Sequence, residues 1–195
     1  MRNIKFNWFN NGDEIMKQLS IFLSLVLRHK PEAAHITLDN NGWAKVSELI
    51  KGIRSTGRYI DMQMLEQIVR EDSKMRYSFN EDFTKIRANQ GHSVKVDIGF
   101  NAIPPLSCLY HGTSTNNLSS IYKNGIHSGK RLYVHLSDNK QLAAKVGSRH
   151  GKPAVLTIDA HQMHQDGYKF YLSENNVWLT EYVPKEYIKI VDYMS

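Results

Sequence analysis

Short islands of this chain carry side chains whose types and order suit polar chemistry: LRHKPE from Leu27, IRANQGHS from Ile86, LYHGTS from Leu109 together with YVHLS from Tyr133, and VGSRHGKP from Val146. Arginine is the common ingredient. Its planar fork grips phosphate oxygens bidentately and stays charged at any physiological pH, so Arg28, Arg87 and Arg149 suit a phosphate dianion. Taken singly, each reads equally as a solvated surface arginine. His29 beside Arg28 adds a donor, with a helix-end histidine bonding the last carbonyls as the alternative. In RANQGHS, Gly91 permits an unusual backbone angle or a close ligand approach. Around it Asn89, Gln90, His92 and Ser93 supply donors and acceptors, and a polar loop leaving a hairpin is the plainer reading.

The other islands combine histidine with glycine and hydroxyls. His111 follows the apolar run CLY and precedes Gly112-Thr113, so a strand delivers an imidazole and a hydroxyl to a tight, glycine-lined corner. His135 ends another such strand, and Ser137 follows. Two histidines on two strands also suit a metal, but no third ligand stands out, and His161 and His164 read as surface positions near a helix or turn. No metal is expected. Neither a GxGxxG fingerprint nor a Walker loop occurs, so a nucleotide would be held some other way.

These groups need elements to hold them. The length of 195 residues fits one large domain or two small ones, and 41% apolar residues can build a core in either case. From Lys17 to Leu27, Leu19, Phe22, Leu23, Val26 and Leu27 recur at helical spacing. That helix should stop before Pro31, leaving Arg28, His29 and Lys30 where cations favour the helix dipole. Ser47 and Asp61 are the expected caps of two further helices. RYSFNEDFTKIRA reads as a hairpin turning at Asn80-Glu81-Asp82. Helices followed by a hairpin are the order of a winged helix.

Pro104-Pro105 interrupts helix and strand alike and marks a linker. The expected division is 1–103 and 104–195, with 1–15 as an extension or added strand. Beyond it, strands are expected in CLYHG, YVHLS, AVLTID, FYLS, VWLT and IKIVDY, and helices in NLSSIYKNG and NKQLAAKVGSRHG. The fold class is α+β, with a mainly β second half.

Charge and cysteine usage narrow the setting. Lys and Arg number 25 against 19 Asp and Glu, a net +6, which suits an anionic partner without choosing among RNA, a nucleotide and a membrane surface. A single cysteine, Cys108, excludes an intramolecular disulfide framework and any cysteine zinc cluster, so a reducing, cytoplasmic setting is expected. No run approaches the roughly 20 apolar residues of a membrane helix, and the N-terminus lacks the apolar stretch of a signal peptide.

Taken in order, LSLVLRHKPE, RANQGHS, LYHGTS, VHLS, VGSRHGKP and ENNVWLT resemble the RNA 2′-phosphotransferases of the Tpt1/KptA family, over nearly the whole chain from Gln18 to Ile190. The resemblance implies a winged-helix RNA lobe followed by an NAD-binding lobe of the ADP-ribosyltransferase fold. It also implies a two-step reaction. An internal RNA 2′-phosphate attacks the nicotinamide-bearing ribose carbon of NAD and expels nicotinamide. The neighbouring 2″-hydroxyl then attacks that phosphate, releasing 2′-hydroxyl RNA and ADP-ribose 1″,2″-cyclic phosphate, so NAD is a consumed co-substrate.

Carried over by motif, the family's catalytic tetrad falls on Arg28, His29, Arg87 and Arg149. The resemblance places NAD against His111, Gly112, Thr113, His135 and Ser137, and RNA against Asn89, Gln90, His92 and Ser93. The implied partner is 2′-phosphorylated RNA, a tRNA splicing intermediate among the candidates, bound by a monomer. Many ADP-ribosyltransferases carry a late Glu where this chain has Val177, with Glu174 nearby. A phosphate dianion is already a competent nucleophile and needs no such base. Asn176 and Phe83 stand where the family often has Gly.

Competing classes remain in view. An ADP-ribosyltransferase acting on other acceptors would prefer the late Glu. A non-catalytic winged-helix protein has no need of His111 or His135, and a metal phosphatase needs clustered carboxylates.

Overall fold

The structure, a computed structural model, describes residues 8–193. The chain divides after Ile98 into two compact units, each with its own apolar core. In the first, α1 spans Trp8–Arg28 and buries Leu19, Leu23, Val26 and Leu27. The helix begins well upstream of Lys17 because Met16 still packs on the core and Glu14 bonds Gln18 one turn on. The latter part of the segment 1–15 is therefore helix rather than strand, and its first seven residues lie outside the described region. At the other end, Pro31 opens a tight 3-10 turn, Pro31–Ala34, as its restricted backbone requires.

Strand β1 (Ala44–Lys45) runs directly into α2 (Val46–Ser55), followed by α3 (Met62–Glu71), β2 (Tyr77–Phe79) and β3 (Lys85–Ala88). Asp61 caps α3, its carboxylate accepting from the Met64 amide at 2.8 Å. Ser47, by contrast, lies inside α2. The Val46 amide is already paired with the Thr84 carbonyl at 2.8 Å, so sheet pairing takes the role a side-chain cap would have filled. The strands form an antiparallel sheet in the order β1-β3-β2, and Ile86 of its central strand joins Leu23, Leu49, Ile53 and Leu65 in the core.

The second unit runs β4 (Cys108–Ser114), α4 (Leu118–Asn124), β5 (Ile126–His127), β6 (Val134–Leu136), α5 (Lys140–Gly147), β7 (Pro153–Asp159), α6 (Ala160–Gln165), β8 (Tyr171–Leu172), β9 (Trp178–Thr180), β10 (Tyr182–Val183) and β11 (Ile188–Tyr193). Among the described residues, antiparallel pairing gives the orders β11-β7-β4 and β6-β9-β8, with β5 and β10 as a separate pair. Tyr110 and Ser137 exchange backbone hydrogen bonds of 2.7 and 2.8 Å, which tie β4 to the end of β6. Ala102 bridges Tyr171, and the Ile103 amide donates to the Phe170 carbonyl. The residues just before Pro104 are thus built into the second unit, and the division falls upstream of the prolines. The unit is mixed in composition, and the whole chain is of the α+β class.

Candidate active site

In the first unit, the end of α1 and the segment leaving β3 are stitched together. The Arg28 carbonyl accepts from the amides of Ser93 and Val94 at 2.9 and 3.3 Å, and His29 Nδ1 lies 2.9 Å from the Ser93 hydroxyl. Both guanidiniums rest over aromatic rings. Arg87 sits 4.5 Å from the Trp43 ring centroid and donates to the Ile98 carbonyl, while Arg28 is 6.0 Å from the Tyr77 centroid. Tyr77 is itself fixed by donating its hydroxyl to the Ser20 carbonyl at 3.0 Å. Gly91 passes close over Arg28: a Cβ there would stand 3.6 Å from the guanidinium carbon, and its φ of +86° is strained for other residues.

The loop RANQGHS is more buried than its composition suggests. His92 is 2% exposed and Asn89 3%. Asn89 donates to the Met75 carbonyl at 2.8 Å, which anchors the loop to the turn before β2. His92 lies within electrostatic reach of Arg28, His29 and Arg87, and burial first, then these three cations, push its pKa down to about 4. Its ring is therefore neutral at physiological pH. Gln90 and Gly91 are half-buried, and Ser93 is exposed beside His29. Of the residues expected at an RNA phosphate, Arg28, His29, Arg87, His92 and Ser93 come together here. Asn89 serves the loop's own anchorage.

The second unit places its residues at β4 and β6. Leu109, His111 and Thr113 alternate onto one face of β4, Gly112 onto the other. On the Gly112 side α5 packs so closely that a Cβ on Gly147 would fall 2.6 Å from the Thr113 carbonyl oxygen. His111 Nδ1 lies 3.1 Å from the His135 carbonyl oxygen, which can only accept, so Nδ1 carries the proton and Nε2 keeps its lone pair. Burial holds this imidazole below its ordinary pKa, against the opposing effect of that bond. Thr113 is buried, its hydroxyl accepting from Asn117 at 3.1 Å. Ser137 accepts from the Asn139 amide at 3.0 Å, at the head of α5.

Arg149 follows α5 in the 3-10 turn Ser148–His150 and is exposed. A second cation stands near it: Arg131 is held below the ordinary arginine value by desolvation first and by the Arg149 charge second. Sequence reading missed Arg131, and it missed Trp43 and Tyr77 as platforms for Arg87 and Arg28. An aromatic residue far from the arginine it supports leaves no local signal. Among the described residues, no group of three His, Cys, Asp or Glu side chains converges. His161 and His164 lie exposed on α6.

A hard anion suits the first group: cations fixed from several elements around a neutral, buried ring. The second, with a neutral imidazole, hydroxyls and paired arginines, suits a ligand with both polar rings and phosphates. The model of the family described as RNA 2′-phosphotransferase, Tpt1/KptA family, matches residues 14–182. The chain belongs to this family. It is 50% identical over 178 residues to a protein of Flavobacterium johnsoniae, covering 91% of this chain and 98% of that protein. Against a Fusobacterium nucleatum protein it is 52% identical over 173 residues, covering 88% and 97%. An Escherichia coli relative is 44% identical over 179 residues, covering 91% and 97%. Each is named Probable RNA 2′-phosphotransferase. As a Tpt1/KptA member the chain is a transferase, and RNA 2′-phosphotransfer is the activity that membership supports. Among the described residues no helix is long and apolar enough to cross a membrane.

Proposed function

We propose that the chain is an NAD-dependent RNA 2′-phosphotransferase acting on an internal 2′-phosphate. The observation that carries the reading is the assembly of Arg28, His29 and Arg87 around the buried, neutral His92. Such a set binds a dianion without a counter-charge from the ring at its centre. In this reading the first unit is a winged-helix RNA lobe, and the second an ADP-ribosyltransferase-like lobe. A 2′-phosphorylated RNA, such as a tRNA splicing intermediate, is the substrate, in the cytoplasm.

NAD supplies an electrophilic ribose carbon and nicotinamide as leaving group. His111, Gly112, Thr113, His135 and Ser137 are the residues assigned to hold it, and the neutral His111 ring with the Ser137 hydroxyl fits an uncharged base or ribose. Arg28, His29 and Arg87 grip the 2′-phosphate and aim one oxygen, a positioning role that can lower a barrier by several kcal/mol. The phosphate oxygen forms the new bond while the nicotinamide nitrogen takes the bonding electrons, giving an ADP-ribosylated RNA. In the second step the 2″-hydroxyl bonds to phosphorus, its proton is lost, and the RNA 2′-oxygen departs and is reprotonated. Arg149 offsets charge gathering on the phosphate there, an effect on the order of a few kcal/mol. No carboxylate base is assigned, in keeping with Val177 at the late position.

The test is product analysis on a 2′-phosphorylated oligonucleotide. Loss of the phosphate should require NAD and persist in EDTA. Phosphate release without NAD, or chelation that abolishes activity and metal that restores it, would refute the reading.

A further inference from the structure

The first unit carries a second set of cations away from the cluster described above. Lys51, Arg54 and Arg58, at the end of α2 and in the loop after it, are all exposed. Two of them are held in place. Arg54 donates through Nε to the Ile60 carbonyl at 2.7 Å, and its guanidinium lies 5.3 Å from the Tyr59 ring centroid. Arg58 donates to the Thr56 hydroxyl at 2.8 Å and stacks 4.0 Å from the Phe22 centroid. Aromatic stacking of this kind orients a guanidinium while leaving its charge uncancelled.

Carboxylates nearby are otherwise engaged. Glu48 pairs with Lys45, while Asp61 caps α3 and accepts the Tyr59 hydroxyl at 3.2 Å. Among the described residues neither Lys51 nor the two arginines form an ion pair. Tyr59 itself is 67% exposed. Ordered, unneutralised cations interleaved with an exposed aromatic ring match the needs of a single nucleic-acid strand, whose phosphates seek charge and whose bases stack.

Position along α1 links this patch to the proposed chemistry. The helical bonding of α1 continues to the His29 amide, which donates to the Leu25 carbonyl. Phe22 therefore lies two turns before His29 on the same face, about 10 Å along the axis at 1.5 Å per residue. At about 3.4 Å per stacked nucleotide, that separation is about three nucleotides.

We infer that Lys51, Arg54, Arg58 and Tyr59 form a docking surface for the RNA strand flanking the modified nucleotide. The inference rests on the reading that RNA is the substrate. It predicts that the enzyme gains from nucleotides beyond the one carrying the phosphate.

The test compares an NAD-supplied dinucleotide bearing one internal 2′-phosphate with a decanucleotide bearing the same group. Arg54→Ala/Arg58→Ala should lower kcat/KM on the decanucleotide about tenfold and leave the dinucleotide within about twofold. Lys51→Glu, which disturbs no hydrogen bond named above, should act in the same direction. Binding of an unmodified decanucleotide, read by fluorescence anisotropy, should weaken about tenfold in both variants and lose salt dependence. Equal effects on both substrates, or unchanged anisotropy, would overturn the surface. So would variants that bind RNA normally but lose binding to phosphatidylserine vesicles. If the unaltered protein turned over neither substrate, the activity reading would fail, and the anisotropy arm would still judge the surface.

Discussion

Gly112 of β4 faces Ala143 of α5 so closely that a Cβ built on the glycine would stand 1.7 Å from the Ala143 carbonyl oxygen. Backbone meets backbone there, and no side-chain rotation relieves the clash. Gly112→Ala should destabilise the second unit by about 3 kcal/mol or more, at the upper end of overpacking costs. Chemical denaturation of variant and parent checks this. A loss under about 1 kcal/mol would mean that α5 can slide away from β4.

Asn176, in the turn between β8 and β9, adopts φ +57°, and Asn is among the few non-glycine residues that tolerate this region. Asn176→Gly should therefore change stability by less than about 0.5 kcal/mol, while Asn176→Val should cost about 1–2 kcal/mol. Thermal melts of the pair read the difference. Equal melting temperatures would contradict the left-handed turn.

His92 makes stability depend on pH. Its folded pKa of about 4 lies below the ordinary value of 6.5, so the unfolded chain binds the extra proton between those limits. Stability should be full above about pH 6.5 and fall as pH drops toward 4, by up to about 3 kcal/mol from this residue. His111, also depressed, acts in the same direction in the second unit. Denaturation across that range should show a shallower slope for His92→Gln, which cannot take up the proton.

The two proposed chemical steps should separate by mutation. Arg149→Ala should slow the second step more than the first, so that ADP-ribosylated RNA accumulates. Arg28→Ala should instead suppress the first step, since a misplaced phosphate cannot meet the ribose carbon. A time course on denaturing gels distinguishes them. Slow first-step kinetics without an intermediate in Arg149→Ala would end this division of labour.

Much of the frame was legible because local signals are strong. Pro31 fixed the end of α1, Asp61 announced α3, and alternating Tyr77 and Phe79 announced the hairpin. The two-residue strands β1, β5 and β10 are too short to alternate and were not foreseen. Polar composition misled at Asn89 and His92, which read as surface groups. Their burial follows from partners remote in sequence: Met75 supplies the carbonyl for Asn89, and the cations that act on His92 come from α1 and β3. Ser47 looked like a cap because the strand running into α2 from Lys45 cannot be seen in one residue's chemistry.

The bonds from Ser93 and Val94 to the Arg28 carbonyl also bear on when the chain can acquire its function. His29 and Ser93 are 64 residues apart in sequence, so the cation cluster exists only after a long loop has closed. Closing such a loop carries an entropic cost that local helix formation avoids. During synthesis, α1 leaves the ribosome with Arg28 and His29 at its end long before the strand that completes their setting has been translated. Recognition of a phosphate is therefore gained in one late event, when residues 91–94 arrive and dock. The amides of Ser93 and Val94 are the natural reporters of that event in pulse-labelled hydrogen exchange.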